Sequence, residues 1–298
     1  FATESELYIP PRANTMNYAI TGEIDFWETP SPDLVAGMEG NPDITIKVID
    51  PLGTQGWLRP NHLNPPFDNA KARQALLHMV KQEDYLQAII GDQKFWRTCA
   101  AYFMCDTPLD TDIGSGPLMN QDLDEARRLL KEGGYNGETL ILMDPTDIPV
   151  LHGASLVTAQ MLRKIGAKVE VQAMDWSTLT SRRAETKSIA DGGWNIFHTY
   201  STGADVASPI ANIGISGGCV EEAWFGWPCD KMLEDLRDQF SRESDPAKQV
   251  EIGIALQKRA YEVVPYVNFG QWFQPTAYRS SLKGVLISPV PFFWNIEK

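Results

Sequence analysis

The stretch over residues 139–173 constrains the chain most. Residues 139–143 are an apolar run of strand length. Leu156, Ala159, Leu162 and Ile165 then recur at helical spacing and stop at Gly166, after which Val169, Val171 and Ala173 alternate. A strand, a helix and a second strand joined this closely form a right-handed crossover between parallel neighbours. This commits at least that part of the chain to an α/β sheet.

The remaining pattern is compatible with the same class. A helix is expected over residues 14–21, ended by Gly22, with a short apolar run over 24–27 and a strand over 45–49. Asp68 reads as an N-cap ahead of Ala72, Ala75, Leu76 and Met79, with a break near Gln82-Glu83 and a resumption to Gly91. Residues 94–117 read as irregular. Asp122-x-x-Glu125 reads as a capping box opening a helix that Gly133-Gly134 stops. A short helix after Asp175, a strand over 194–200 and a Gly-rich aromatic loop up to Pro228 come next. Helices are expected over 231–240 and 246–263, the latter with Asp245 as cap and Pro246 at its first position. Tail strands over 266–269, 282–287 and 292–296 have no partners nearby in sequence and are expected to pair back with the N-terminal segment.

Charge narrows the partners. The 298 residues carry 26 Lys and Arg against 39 Asp and Glu, a net charge of −13. Nonspecific nucleic-acid binding rests on basic side chains neutralising phosphates, so nucleic acid is excluded as a partner, and an anionic membrane surface would repel the chain. With 43% hydrophobic and 22% charged residues the composition is that of a folded protein. No apolar run approaches the ~18 residues of a bilayer-spanning helix. The opening residues 1–6 lack a basic region followed by an apolar one, so the chain reads as cytosolic or as a mature or trimmed piece.

The cysteines bear on that choice. Cys99 lies near Cys105, and Cys219 near Cys229; none forms a C-x-x-C, and no histidine stands at zinc-ligand spacing, so no metal site or cofactor is expected. Two readings are open: four separate buried thiols, or two local disulfides, Cys99–Cys105 and Cys219–Cys229. The second is preferred; each bridge would add about 2–3 kcal/mol by the chain-entropy argument and would imply an oxidising compartment.

Catalytic patterns fail on their mechanics. Gly214-Ile215-Ser216-Gly217-Gly218 satisfies G-x-S-x-G, but no histidine follows His198, so the order Ser–acid–His cannot be built. Phosphate-binding glycine motifs, H-E-x-x-H and EF-hand spacings are absent. The chain reads as a non-enzyme.

The segment Asn64-Pro65-Pro66-Phe67-Asp68-Asn69-Ala70-Lys71-Ala72-Arg73-Gln74-Ala75-Leu76 resembles the signature of the family 5 extracellular solute-binding proteins, the dipeptide, oligopeptide and nickel-type receptors of ABC transporters. Ala19 to Asp25 is similar to the family's L-x-x-G-E-(I/V)-D turn. Asp122 to Tyr135 is similar to its A-x-x-L-L-x-x-A-G-Y stretch, with Gly133 where Ala is usual. Leu162-x-x-Ile165-Gly166-Ala167-x-Val169 and Leu282-Lys283-Gly284-Val285 fit two further stretches. The matches hold their order from about residue 16 to the end.

The resemblance implies an α/β fold of the type II periplasmic-binding-protein kind: one complete mixed-sheet lobe over residues 56–265, and an incomplete second lobe built from residues 1–55 and the return segment 266–298, joined by a hinge. It implies a periplasmic protein whose signal peptide and N-terminal part lie outside this chain. Such a protein acts as a monomer, captures a small solute between its lobes and delivers it to the membrane permease of an ABC transporter. In peptide-binding relatives an aspartate after the strand ending near Tyr200 receives the ligand's ammonium group, which places Asp205 in that role. The physics agrees, since an enclosed carboxylate needs a cation. Tyr200, Thr202 and Gly203 would line the same wall, with Asp147 adding acidity; Trp227, beside Trp224, would act as a lid, and Trp272 would meet ligand at the hinge. One departure matters: the loop Met143-Asp144-Pro145-Thr146-Asp147-Ile148-Pro149 has no basic residue where dipeptide-binding relatives carry a carboxylate-clamping Arg. Arg182, Arg183 or the missing lobe would have to supply that charge. A peptide-like or amine-bearing solute is therefore expected. The alternatives are a hydrolase using Ser216 or a carboxylate pair, and a sensor or chaperone-like binding module on the same scaffold.

Overall fold

A computed structural model describes residues 15–298, so Asn14, the first residue of the expected opening helix, lies outside the described residues. Nine strands occur among the described residues: β1 Phe26–Trp27, β2 Ile44–Val48, β3 Thr54–Pro60, β4 Trp96–Arg97, β5 Thr139–Pro145, β6 Lys168–Met174, β7 Ile196–Thr202, β8 Val267–Trp272 and β9 Pro275–Arg279. The chain divides into two compact units. One takes the residues up to Thr54 with Ile90–Trp96 and Trp272–Lys298; the other takes Gln55–Ile89 and Arg97–Gln271. These boundaries differ from the expected 55/56 and 265/266. Residues 90–96 join the first unit, and the return falls at 271/272 because β8 is a strand of the second unit's sheet.

In the first unit, β9 lies between β1 and β2 and runs antiparallel to both, with Ala277 opposite Trp27 on one side and Ile46 on the other. The helix Thr15–Thr21 ends at Gly22, whose φ of +82° suits glycine, and packs Ala19 against Ile24, Trp27, Met38, Ile44 and Ala277. The tail thus pairs with the N-terminal segment, through a strand the periodicity did not show. The expected strands over 282–287 and 292–296 reduce to a single bridge, Lys283 with Glu297. Gly284, at φ +75°, brings its backbone so close to Asn295 O that a Cβ would sit 1.9 Å away, and Pro289 and Pro291 have no N–H to donate.

The second unit is built on a six-stranded sheet of order β4-β8-β3-β7-β5-β6. β5 pairs parallel with β6 over its whole length, from Thr139 opposite Lys168 to Pro145 opposite Met174, and parallel with β7 through Leu142 and Ile196. Asn61, just past β3, donates its N–H to Asn195 O, just before β7, so β3 runs against β7 and the sheet is mixed. The crossover helix is Pro149–Lys164. It starts earlier than the stripe suggested, and its buried face is Leu151, Ala154, Ser155, Thr158, Ala159, Met161 and Leu162; Leu156 is 50% exposed. Ser155 and Thr158 belong to the inner face because both bond the imidazole of His198 on β7.

Several local assignments shift for identifiable reasons. The helix Ala70–Met79 is capped by Asn69, whose side chain accepts the Lys71 N–H at 2.9 Å, rather than by Asp68. It breaks at residues 80–81 and a second helix runs Gln82–Ile89. Asp122 caps Leu123–Glu132 by accepting from Asp124 and Glu125, but only half of the capping box forms. Glu125 turns to Arg128, and the Asp122 N–H goes to His78 O. Asp175 and Asp245 cap Trp176–Arg182 and Pro246–Val263 as read, with Pro246 in the first turn of its helix. Cys99 is bridged to Cys105 and Cys219 to Cys229. Among the described residues no helix is long and apolar enough to cross a membrane.

Candidate functional site

Because β5, β6 and β7 run parallel, their carboxyl ends share one edge of the second unit's sheet. β5 is followed by β6 on one side, while β7 lies on its other side, so the connections part between β5 and β7. In open α/β sheets this is where ligands bind. Two turns there are tied together: Thr146 donates its N–H to Met174 O at 3.0 Å, and Asp147 Oδ1 accepts the Trp176 N–H at 2.8 Å. The Asp147 side chain is therefore partly engaged in fixing the loop after β5 to the helix after β6, although the residue is exposed.

The turn after β7 holds the other expected acid. Thr202 is the N-cap of the one-turn helix Gly203–Val206. Its hydroxyl accepts the Asp205 N–H at 3.3 Å and donates to Asp205 Oδ2 at 2.8 Å. Asp205 is exposed, so its carboxylate is fixed in direction while remaining open to solvent. The short helix adds the partial positive charge of its first turn. Gly203 is buried in the same turn, and Tyr200, two residues before the cap, is 45% exposed. Tyr200, Thr202, Gly203 and Asp205 thus follow one another along one strand end and its turn.

The aromatic expectations fare differently. Trp227 is 5% exposed, with φ +50° and its ring 5.9 Å from that of Trp194 in a core cluster with Ile141, Met143, Leu179 and Phe197. The structure makes it a core residue rather than a lid. Trp272, the last residue of β8, is 3% exposed and lies in the first unit. Asp144 is buried at the end of β5, both carboxylate oxygens within 2.9 Å of His152 Nδ1, and so is not available as surface acidity. Nothing in the sequence marks that pair, since an aspartate and a histidine eight residues apart carry no pattern.

Ser216 is buried, with its hydroxyl donating to Glu234 Oε1 at 3.2 Å; the same carboxylate takes the Gly217 N–H and the Arg237 guanidinium. Gly217 is required by packing, since a Cβ would sit 2.5 Å from Asp230 O. The G-x-S-x-G match is thus accounted for by backbone packing and a structural hydrogen bond.

Of the two candidate basic residues, Arg182 is engaged by Gln172, Gly192 O and Gly193 O. Arg183 instead lies among aromatic rings, a placement the sequence hints at only through Trp176 and Arg183 standing seven residues apart on one helical face.

The model of the bacterial extracellular solute-binding proteins, family 5 (middle), matches residues 7–220. A "Probable peptide ABC transporter periplasmic-binding protein" of Sinorhizobium fredii is 34% identical over 279 residues, 93% of this chain and 52% of that protein. The glutathione-binding protein of Escherichia coli K12 is 24% identical over 281 residues, 90% of this chain and 52% of that protein. Among solved structures, an ABC transporter-associated periplasmic binding protein from Helicobacter pylori, in complex with a peptide, matches with a TM-score of 0.79 at 21% identity, covering 97% of this chain and 55% of that one. The chain spans about half the length of these relatives. Its α/β fold is that of the type II periplasmic binding proteins over this span. The chain belongs to the bacterial extracellular solute-binding proteins of family 5.

Proposed function

We propose that this chain is part of the receptor of an ABC importer, a periplasmic monomer that captures a peptide-like or amine-bearing solute and delivers it to the membrane permease. The observation that carries the reading is the Asp205 carboxylate, exposed in the turn at the carboxyl end of β7 and held in one direction by the Thr202 hydroxyl. A carboxylate fixed at such an edge and then covered by a ligand is stabilised by a cation, and an ammonium group supplies both charge and donors. The exposed ring of Tyr200 offers an apolar surface next to it, and Gly203 presents backbone without a side chain. Two disulfides fit an oxidising compartment, and two relatives are named for peptides and glutathione, both amine-bearing.

The test is binding by the protein purified from its host. Native mass spectrometry is expected to find a co-purified amine-bearing small molecule, and Asp205→Asn to weaken its calorimetric affinity by about tenfold or more. Unchanged affinity removes the assignment of Asp205. Turnover of ester or peptide substrates abolished by Ser216→Ala would replace the receptor reading with a hydrolase.

A further inference from the structure

A cavity of about 310 Å³ opens on the flank of the second unit, between the helix Ala70–Met79, the helix Pro246–Val263 and the strap over residues 114–117. None of its lining residues belongs to β5, β6, β7 or the turns that follow them, so it is separate from the sheet edge that carries Asp205. Its walls are tied together without any occupant. Gln74 donates to Glu262 O at 3.0 Å and joins the two helices, while Gln257 donates to Thr111 O and Ile113 O and joins the strap to the second helix. Past the strap, Gln121 donates to Met79 O at 2.8 Å. The Tyr261 hydroxyl donates to Ala100 O at 2.6 Å, which fixes its ring in the wall. Gly114 lets the strap lie against that ring, since a Cβ there would stand 3.2 Å from Tyr261 Cδ2. Walls held in this way lose little conformational entropy when the cavity fills.

The lining divides by chemistry. Leu77, Pro117 and the Tyr261 ring give an apolar body. Two of the polar side chains are already engaged: Gln74 by Glu262 O, and the Glu262 carboxylate by Arg259 at 2.8 Å. Two others are not. The His78 ring makes no hydrogen bond among the described residues, and its Nδ1 is enclosed, which leaves Nε2 to meet an occupant. Lys258 is exposed and has no carboxylate within ion-pair distance among the described residues. An apolar body with a few open polar groups is the composition of a small-molecule site, and this volume stands at the lower end of their range.

We propose that this cavity binds a small hydroxylated aromatic carboxylic acid. The ligand ring packs on Tyr261, Leu77 and Pro117, its hydroxyl bonds His78 Nε2, and its carboxylate pairs with Lys258. A hydroxyl suits either tautomer of the imidazole, because it donates to a bare nitrogen and accepts from an N–H. A carboxylate suits an ammonium group that has three donors and no acid beside it. An aromatic body suits a site walled by a fixed ring, since it offers a flat apolar face and has few rotamers to lose. The site does not rest on the receptor reading.

The test uses three probes on the intact protein: 4-hydroxybenzoate, benzoate and 4-hydroxybenzamide. In nitrogen-edited NMR the His78 ring signals, assigned by their loss in His78→Phe, are expected to shift saturably with 4-hydroxybenzoate. Benzoate, which lacks the hydroxyl, should bind about threefold or more weakly. The amide, which lacks the charge, should also bind about threefold more weakly. Lys258→Gln, a change at an exposed side chain, should weaken 4-hydroxybenzoate about threefold and leave the amide unchanged. Asp205→Asn should leave all three affinities at their wild-type values. No saturable shift of the His78 signals overturns the proposal. Benzoate binding as tightly as 4-hydroxybenzoate removes His78 from the site, and the amide binding as tightly removes the carboxylate; either result overturns the ligand class. Loss of 4-hydroxybenzoate binding in Asp205→Asn would move the ligand to the sheet edge and overturn the separate site.

Discussion

The Thr202 hydroxyl donates to Asp205 Oδ2 at 2.8 Å while accepting the Asp205 backbone N–H at 3.3 Å. One side chain therefore caps the turn after β7 and aims the acid that the proposed function depends on. Thr202→Val keeps the shape and removes both bonds. It should destabilise the second unit by about 0.5–2 kcal/mol, as loss of an N-cap does. It should also weaken an amine-bearing solute by roughly two- to tenfold through a less directed carboxylate. Urea unfolding reads the first and calorimetry the second. A stability loss with unchanged affinity would show that Thr202 is a cap only.

His198 offers a pH-dependent readout of the crossover. Its ring is buried between Ser155 and Thr158, with Nε2 at 2.8 Å from Thr158 Oγ1, and Thr158 in turn bonds Tyr85 at 2.8 Å. Burial lowers its pKa to about 3 from the ordinary histidine value of 6.5. The folded state therefore holds the imidazole neutral where the unfolded chain takes up a proton. Stability from this group is fully present above pH 6.5 and is lost as pH falls toward 3, by up to about 1.4 kcal/mol per pH unit. His198→Gln should be less stable at pH 7 yet lose less between pH 7 and pH 4.5 than wild type does. Equal losses in urea midpoints would mean that the acid sensitivity arises from other groups.

What was legible in the sequence was local. The crossover over β5, its helix and β6 showed because an apolar strand, a helical stripe and an alternating strand each carry their own period, and Asp245-Pro246 marked a helix start by cap chemistry alone. β9 was missed because Tyr278 pairs with Thr45 and Phe26, contacts that no local pattern can report. Family resemblance alone points to the turn holding Asp205, and nothing in the sequence indicates its hydrogen bond to Thr202. Trp227 was misread because loop aromatics look alike in sequence whether they face a ligand or a core. The ring of rings around Arg183 draws Phe197 from β7 and Trp224 with Phe225 from a loop, so only folding brings it together.

Gly133 stands where the family resemblance expects Ala, and packing supplies the reason. A Cβ there would sit 2.4 Å from Ala72 N and 2.7 Å from Ala72 Cβ, where the end of Leu123–Glu132 meets the helix Ala70–Met79. Its φ of −76° is open to any residue, so the penalty is steric rather than conformational. Gly133→Ala should cost about 1–3 kcal/mol in urea unfolding. Adding Ala72→Gly should restore only part of this, because the Ala72 N contact remains. Full restoration would assign the clash to the Ala72 methyl alone.

The two disulfides should separate by accessibility. Cys99 is 1% exposed, whereas Cys229 is exposed at the surface of its loop. Exchange needs a thiolate to reach a sulfur. Under mild reductant the folded protein should therefore open Cys219–Cys229 first and keep Cys99–Cys105, which mass spectrometry after alkylation resolves. A thiol titration in denaturant without reductant should find none of the four cysteines reactive, since all are paired. Replacing both Cys99 and Cys105 by Ser should then lower unfolding stability by about 2–3 kcal/mol, chiefly by freeing the unfolded chain. Four reactive thiols in the untreated protein would break the link to an oxidising compartment, and with it one support for placing the receptor in the periplasm.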